Sequence, residues 1–120
     1  MKKSFGITKE HRDNLIEAHK EIIEIYDKGL SSICPLCLLS DGTDCYHCTY
    51  QLAFSCGCYT MGRKLNLLKT TTDGIGATRE ERDLKIVFHK KCIRALQMNN
   101  KSILTKYYHD RLKVVNTASV

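Results

Sequence analysis

The chain has 120 residues, of which 42% are hydrophobic and 27% charged, with a net charge of +6, seven cysteines, one proline and no tryptophan. That suits one domain with a modest core and argues against a fully disordered chain. Nowhere does the sequence approach the roughly 18 consecutive apolar residues of a membrane span.

Residues 1–7 read as an untied terminus. Met1-Lys2-Lys3 is basic, but no apolar run follows, so no secretory signal is expected and Asn100-Lys101-Ser102 carries no weight as a glycosylation acceptor. Thr8 can cap a helix whose first turn holds Glu10, favoured by the positive end of the dipole. Leu15, Ala18, Ile22 and Tyr26 recur at helical spacing, with His19 on the same stripe and Glu17, Glu21 and Glu24 off it. Gly29 is the stop signal, so a helix is expected over 8–29. On this reading His19 is a half-buried packing residue.

A cysteine-rich segment follows over 34–58. Asp41-Gly42 marks a turn between two cysteine pairs, and Tyr50 to Phe54 fits either a short helix or a strand. Residues 59–77, with Gly62, Asp73-Gly74 and Gly76, read as a loop from which Leu65, Leu67 and Leu68 dock on the core. Thr78-Arg79-Glu80-Glu81 is a capping-box pattern opening a helix over 78–97. Its expected apolar face is Leu84, Val87, Phe88, Cys92, Ala95 and Leu96, ended by Asn99-Asn100. A last helix over 101–115 carries Leu104, Tyr107, Tyr108, Arg111, Leu112 and Val115, and the tail from Asn116 is expected to fray.

The chemistry is concentrated in the cysteines. Cys34-x2-Cys37, Cys45-x2-Cys48 and Cys56-x-Cys58 open eleven residues apart. A Cys-x2-Cys turn sets two sulfurs on one side of a tight loop, each able to reach one zinc ion at about 2.3 Å, and two such turns complete a tetrahedral four-thiolate site. Cys34, Cys37, Cys45 and Cys48 are therefore the expected ligands of a structural Zn²⁺, a site closed to water and substrate whose binding energy is folding energy. Alternatives stay open. Cys56 can displace one of the four, or six cysteines can share two ions. His89 and Cys92, three apart on one helix, can complete a second tetrahedral site with Cys56 and Cys58, or Cys92 can be a small core residue. His47, between two ligands, is expected to be exposed. An iron–sulfur cluster fits the spacing less well, and disulfides belong to a secreted chain.

Catalytic motifs are missing: there is no His-Glu-x-x-His, no Gly-x-Ser-x-Gly, no phosphate-binding glycine loop and no deaminase His-x-Glu beside a cysteine pair. The charge is uneven. Residues 1–59 hold 6 basic against 8 acidic side chains, and residues 60–120 hold 13 against 5. The basic half points to an acidic partner, nucleic acid first, or to a solvated helical face. Lys90, Arg94 and Lys101 are the basic residues that can align, Tyr108 the stacking candidate, and binding of this kind is expected to be dominated by phosphate contacts.

Ile33-Cys34-Pro35-Leu36-Cys37, Asp44-Cys45-Tyr46-His47-Cys48 and Ser55-Cys56-Gly57-Cys58-Tyr59-Thr60 together resemble a group of small zinc-binding proteins of tailed bacteriophages. Their pattern is Cys-x-Leu-Cys, then Cys-x2-Cys-Pro, then a later Cys close to Thr-Pro-Tyr. The resemblance spans about residues 8–97, and this chain departs from it in Thr49, where proline is usual, and in the added Cys58. It implies a zinc-stabilised helical domain made in a bacterial host cytoplasm or carried in a virion, and it implies no activity.

The expectation is thus a mainly α single domain with an irregular zinc knuckle between helices. Its expected role is a non-enzymatic binding module that engages nucleic acid or a host protein, as a regulator or an inhibitor of host defence, with no membrane and no small-molecule substrate. A structural or accessory virion protein is the alternative, and a small metal-dependent nuclease comes third, since the five histidines are scattered along the chain.

Overall fold

The computed structural model describes residues 4–29, 49–54 and 78–118. These form four helices in chain order: α1 (Lys9–Lys28), α2 (Thr49–Phe54), α3 (Arg79–Met98) and α4 (Ser102–Ala118), and there is no strand among the described residues. None of these helices is long and apolar enough to cross a membrane. The mainly α class is as expected, and the open choice at residues 50–54 resolves to helix. The proposed zinc knuckle and the docking leucines Leu65, Leu67 and Leu68 lie outside the described residues.

Both long helices start and stop where their end residues dictate. Thr8 Oγ1 accepts from the His11 backbone N–H at 3.1 Å and Thr78 Oγ1 from that of Glu81 at 3.1 Å, so each threonine satisfies a donor that the first turn leaves without an intrahelical partner. Helix α1 ends at Gly29, whose φ of 66° is open to glycine at little cost and lets its N–H reach back to the carbonyls of Ile25 and Tyr26. Helix α3 ends the same way on Asn99, the non-glycine residue that best tolerates its φ of 49°.

Helices α1 and α3 are the principal pair and run antiparallel, as the contacts at their two ends show. At one end, Arg82 Nη1 donates to the last carbonyls of α1, 3.0 Å to Tyr26 and 3.3 Å to Asp27, and Arg79 grips Asp27 through both its carbonyl and its carboxylate. These guanidinium groups serve carbonyls that a helix C-terminus leaves without partners and complement its negative dipole end. At the other end, the Phe5 backbone N–H donates to Asn99 Oδ1 at 3.1 Å, and the Phe5 ring is buried. The terminus before α1 is therefore tied down from Phe5 onward, against the expectation for residues 1–7.

The stripe Leu15, Ala18, His19, Ile22 and Tyr26 is buried as its spacing requires. On α3 the buried arc is Lys85, Ile86, Phe88, His89, Cys92, Ala95 and Leu96, while Val87 is exposed and Leu84 only half-buried. The expected face was therefore displaced. With about 100° per residue, the arc centres on Lys85, Cys92 and Leu96, and Val87 lies about 160° from His89. Helix α4 closes the core with buried Leu104 and with Tyr107, whose ring sits 5.8 Å from that of Phe88. It continues to Ala118, past the expected end at 115, because no glycine or proline intervenes to stop it. Phe54 of α2 packs on Tyr108 with ring centroids 5.7 Å apart, which takes Tyr108 out of the role of an open stacking platform.

The capping geometry generates a ranking. Thr8→Ala and Thr78→Ala should each cost about 1 kcal/mol in urea melts. Asn99→Ala should cost more than Asn99→Gly, because alanine loses the bond to Phe5 and keeps the left-handed strain, whereas glycine loses only the bond. The reverse order would show that the backbone at this position is not held left-handed, and an Asn99→Gly variant as stable as the wild type would show that the Asn99 side chain does not hold the N-terminus.

Candidate metal centre

The middle of the α1–α3 interface is polar. His19 of α1 and His89 and Cys92 of α3 face one another inside the core, and Thr49, the first residue of α2, joins them. His19, Thr49 and Cys92 are 0% exposed and His89 4%. His89 and Cys92 share a helix face because residues three apart are neighbours one turn on. His19 enters from the centre of the α1 stripe, where the antiparallel crossing sets it opposite.

His19 Nδ1 lies 2.9 Å from His89 Nδ1, and His19 Nε2 lies 2.7 Å from Thr49 Oγ1. The two imidazoles are tilted by 41° with centroids 5.1 Å apart. Around them, Tyr26 stacks on His89 at 5.9 Å, Phe88 meets it edge-on at 5.5 Å, and the ammonium of buried Lys85 sits 5.0 Å above the Tyr26 ring.

Burial governs the electrostatics. It lowers the pKa of His19 to about 3 and holds that of His89 well below the ordinary value. His19 and the Lys85 charge also oppose a proton on His89. Both rings are thus neutral near pH 7, so each has one N–H and one lone pair, and a single N–H serves the gap between the two Nδ1 atoms. Neutral imidazole is also the form that binds metal.

One ligand atom from each of His19, His89 and Cys92 lies within 4.8 Å of the others. In a tetrahedral zinc site, bond lengths of about 2.0–2.1 Å to nitrogen and 2.3 Å to sulfur put two nitrogens about 3.3 Å apart and nitrogen and sulfur about 3.5 Å apart. The rings need only part by about 0.4 Å from their 2.9 Å contact, and the sulfur has to close by at most about 1.3 Å. The group can therefore hold a metal ion. Two imidazoles and a thiolate suit zinc, and suit copper where the softer ligand dominates.

The structure thus brings together His89 and Cys92, the pair that the sequence offers as an alternative to a plain core role for Cys92, and adds His19, which sequence reasoning had assigned to packing. A fully buried imidazole needs a hydrogen-bonding partner, and that need is the signal within α1 itself. Its partner lies 70 residues away, which periodicity within one helix does not report. Thr49 stood out only as a departure from the bacteriophage pattern, which gave it no role. Cys34, Cys37, Cys45, Cys48, Cys56, Cys58 and His47 lie outside the described residues. Lys90 and Arg94 are exposed on α3, and Lys101, at the turn into α4, is half-buried.

The neutral pair has a pH signature. The folded pKa of His19, about 3, lies below its ordinary 6.5, so the unfolded state takes up the proton first. The contribution to stability is full above 6.5 and is lost as the pH falls toward the folded value. For the metal-free protein, urea melts should show His19 alone costing about 2 kcal/mol between pH 7 and pH 5, with His89 acting in the same direction. A stability profile that stays flat over this interval would rule out a neutral, buried pair.

Comparison with protein families, with curated proteins and with solved structures finds no match for this chain, so the site is read from its own chemistry.

Proposed function

We propose that this chain is a non-enzymatic, metal-stabilised helical binding module, with His19, His89 and Cys92 holding a structural ion, zinc by donor chemistry, between α1 and α3. The observation that carries the reading is the convergence of two neutral imidazoles and a thiol, all buried, from two different helices. A metal there cross-links the principal helix pair, and structural zinc contributes on the order of 10–16 kcal/mol of apparent binding energy to folding. Burial also argues against catalysis, because a substrate would have to open the α1–α3 core to reach the ion. Cys34, Cys37, Cys45 and Cys48 belong to the same reading as a four-thiolate site of their own.

The partner we favour is nucleic acid. Lys90, Lys91 and Arg94 are exposed on the arc of α3 that faces away from His89 and Cys92, with Lys101 at the following turn. Such a stripe contacts phosphates without reading bases. Exposed Val87 and Met98 border it and favour a protein partner, of the host or of a virion, should nucleic acid fail.

Two measurements test this. Elemental analysis of protein purified without added metal should show zinc, and the variants His89→Ala and Cys92→Ala should each hold one ion per chain fewer than the wild type. An unchanged ratio would remove the buried triad from the reading. Retention of DNA or RNA at about 50 mM salt should fall steeply as salt rises. It should be abolished by Lys90→Glu, Arg94→Glu and Lys101→Glu together, with the thermal melt nearly unchanged. A wild type that retains neither at low salt would turn the reading to a protein partner.

A further inference from the structure

We infer that Thr49 is the positioning residue of this centre. Its hydroxyl oxygen holds the Nε2–H of His19, so that His19 meets the metal through Nδ1 and helix α2 is tied to the state of the centre. This rests on the reading of His19, His89 and Cys92 as metal ligands.

His19 makes two ring contacts, one through each nitrogen. Its Nδ1 faces His89 Nδ1 at 2.9 Å, so a metal shared by both rings sits where the two Nδ1 atoms converge. Both Nδ1 atoms must then be bare lone pairs, and each neutral ring keeps its proton on Nε2. For His19 that nitrogen points the other way, to Thr49 Oγ1 at 2.7 Å. A buried N–H deprived of its acceptor costs about 1–3 kcal/mol, and a ring in that position shifts its proton to the other nitrogen, the one the metal needs. Metal-bound histidines are commonly fixed in this way by an acceptor on the far nitrogen.

Thr49 fits the task. It is wholly buried, so water does not replace it, and a hydroxyl oxygen can accept the N–H while keeping its own hydrogen for another partner. It belongs to neither helix of the triad. The contact therefore ties a third element to the state of the His19 ring. Without metal, the hydroxyl can equally donate to Nε2, with His19 Nδ1–H then turned to His89. Metal binding removes that choice and makes Thr49 an acceptor.

The test uses the full chain and zinc alone. Binding is read at the histidine rings by nitrogen-resolved NMR, which separates this centre from the cysteine segment. In the zinc-loaded wild type, His19 should carry its proton on Nε2. Thr49→Val should weaken zinc at these rings by about 10–100-fold, and Thr49→Ser should restore it to within a few-fold of wild type. Equal binding by Thr49→Val, or an Nδ1–H on zinc-loaded His19, overturns the inference and leaves the metal reading standing. If Thr49→Val does not fold, the tautomer in the wild type decides alone. Wild-type His19 and His89 rings that ignore zinc overturn both.

Discussion

The rest of this fold depends on one buried contact, that between His19 and His89. Two imidazoles 2.9 Å apart lie in a core built largely of apolar side chains such as Leu15, Ile22, Phe88 and Leu96, where each buried ring nitrogen requires a polar partner. Apolar packing tolerates a slide of one helix along another, because any apolar neighbour will serve. A hydrogen-bonded or metal-bridged pair does not, since a shift of one turn leaves two polar rings without the partner each has here. The contact therefore sets the register of α1 on α3. The end clamps, Arg79 and Arg82 on the last carbonyls of α1 and Phe5 on Asn99, agree with that register and lie at opposite ends of the pair.

Lys85 sharpens the electrostatics of the centre. The residue is buried, and its ammonium lies over the Tyr26 ring, which in turn stacks on His89. A cation there is steadied by the ring face and by whatever else surrounds it, and it makes a second positive charge on His89 costly. The same charge opposes a divalent metal. A thiolate at Cys92 offsets this, because a divalent ion with one thiolate adds a single net charge rather than two. The centre thus favours a metal that takes sulfur as well as nitrogen over a hard cation that takes only oxygen.

What the sequence revealed divides along physical lines. Helix ends were legible because their causes are local: Thr8, Gly29, Thr78 and Asn99 act on atoms within a few residues. The α1 stripe was legible because its apolar residues outnumber the exceptions. The face of α3 was misread at Val87 because a long amphipathic lysine, Lys85, occupies a core position that polarity alone assigns to solvent. The candidate centre was half legible. His89 and Cys92 share a helix, and their three-residue spacing is visible in the chain. His19 and Thr49 come from elements 70 and 40 residues away from His89, and only the tertiary packing places them beside it.

Helix α3 also shows how the proposed buried ion and the proposed outer surface would belong to one function. At about 100° per residue, Arg94 lies nearly opposite Cys92 and Leu96, with Lys90, Lys91 and Met98 on either side of it. The helix presents candidate ligands inward and basic groups outward over the same two turns. Its inward face is anchored by contacts that specify both rotation and register, so the outward charges are held at fixed positions relative to α1. A polyanion gains most from charges that are already in place, because less side-chain and backbone freedom is lost on binding. A metal in the core would act on such a partner without touching it, by keeping α3 from turning about its own axis.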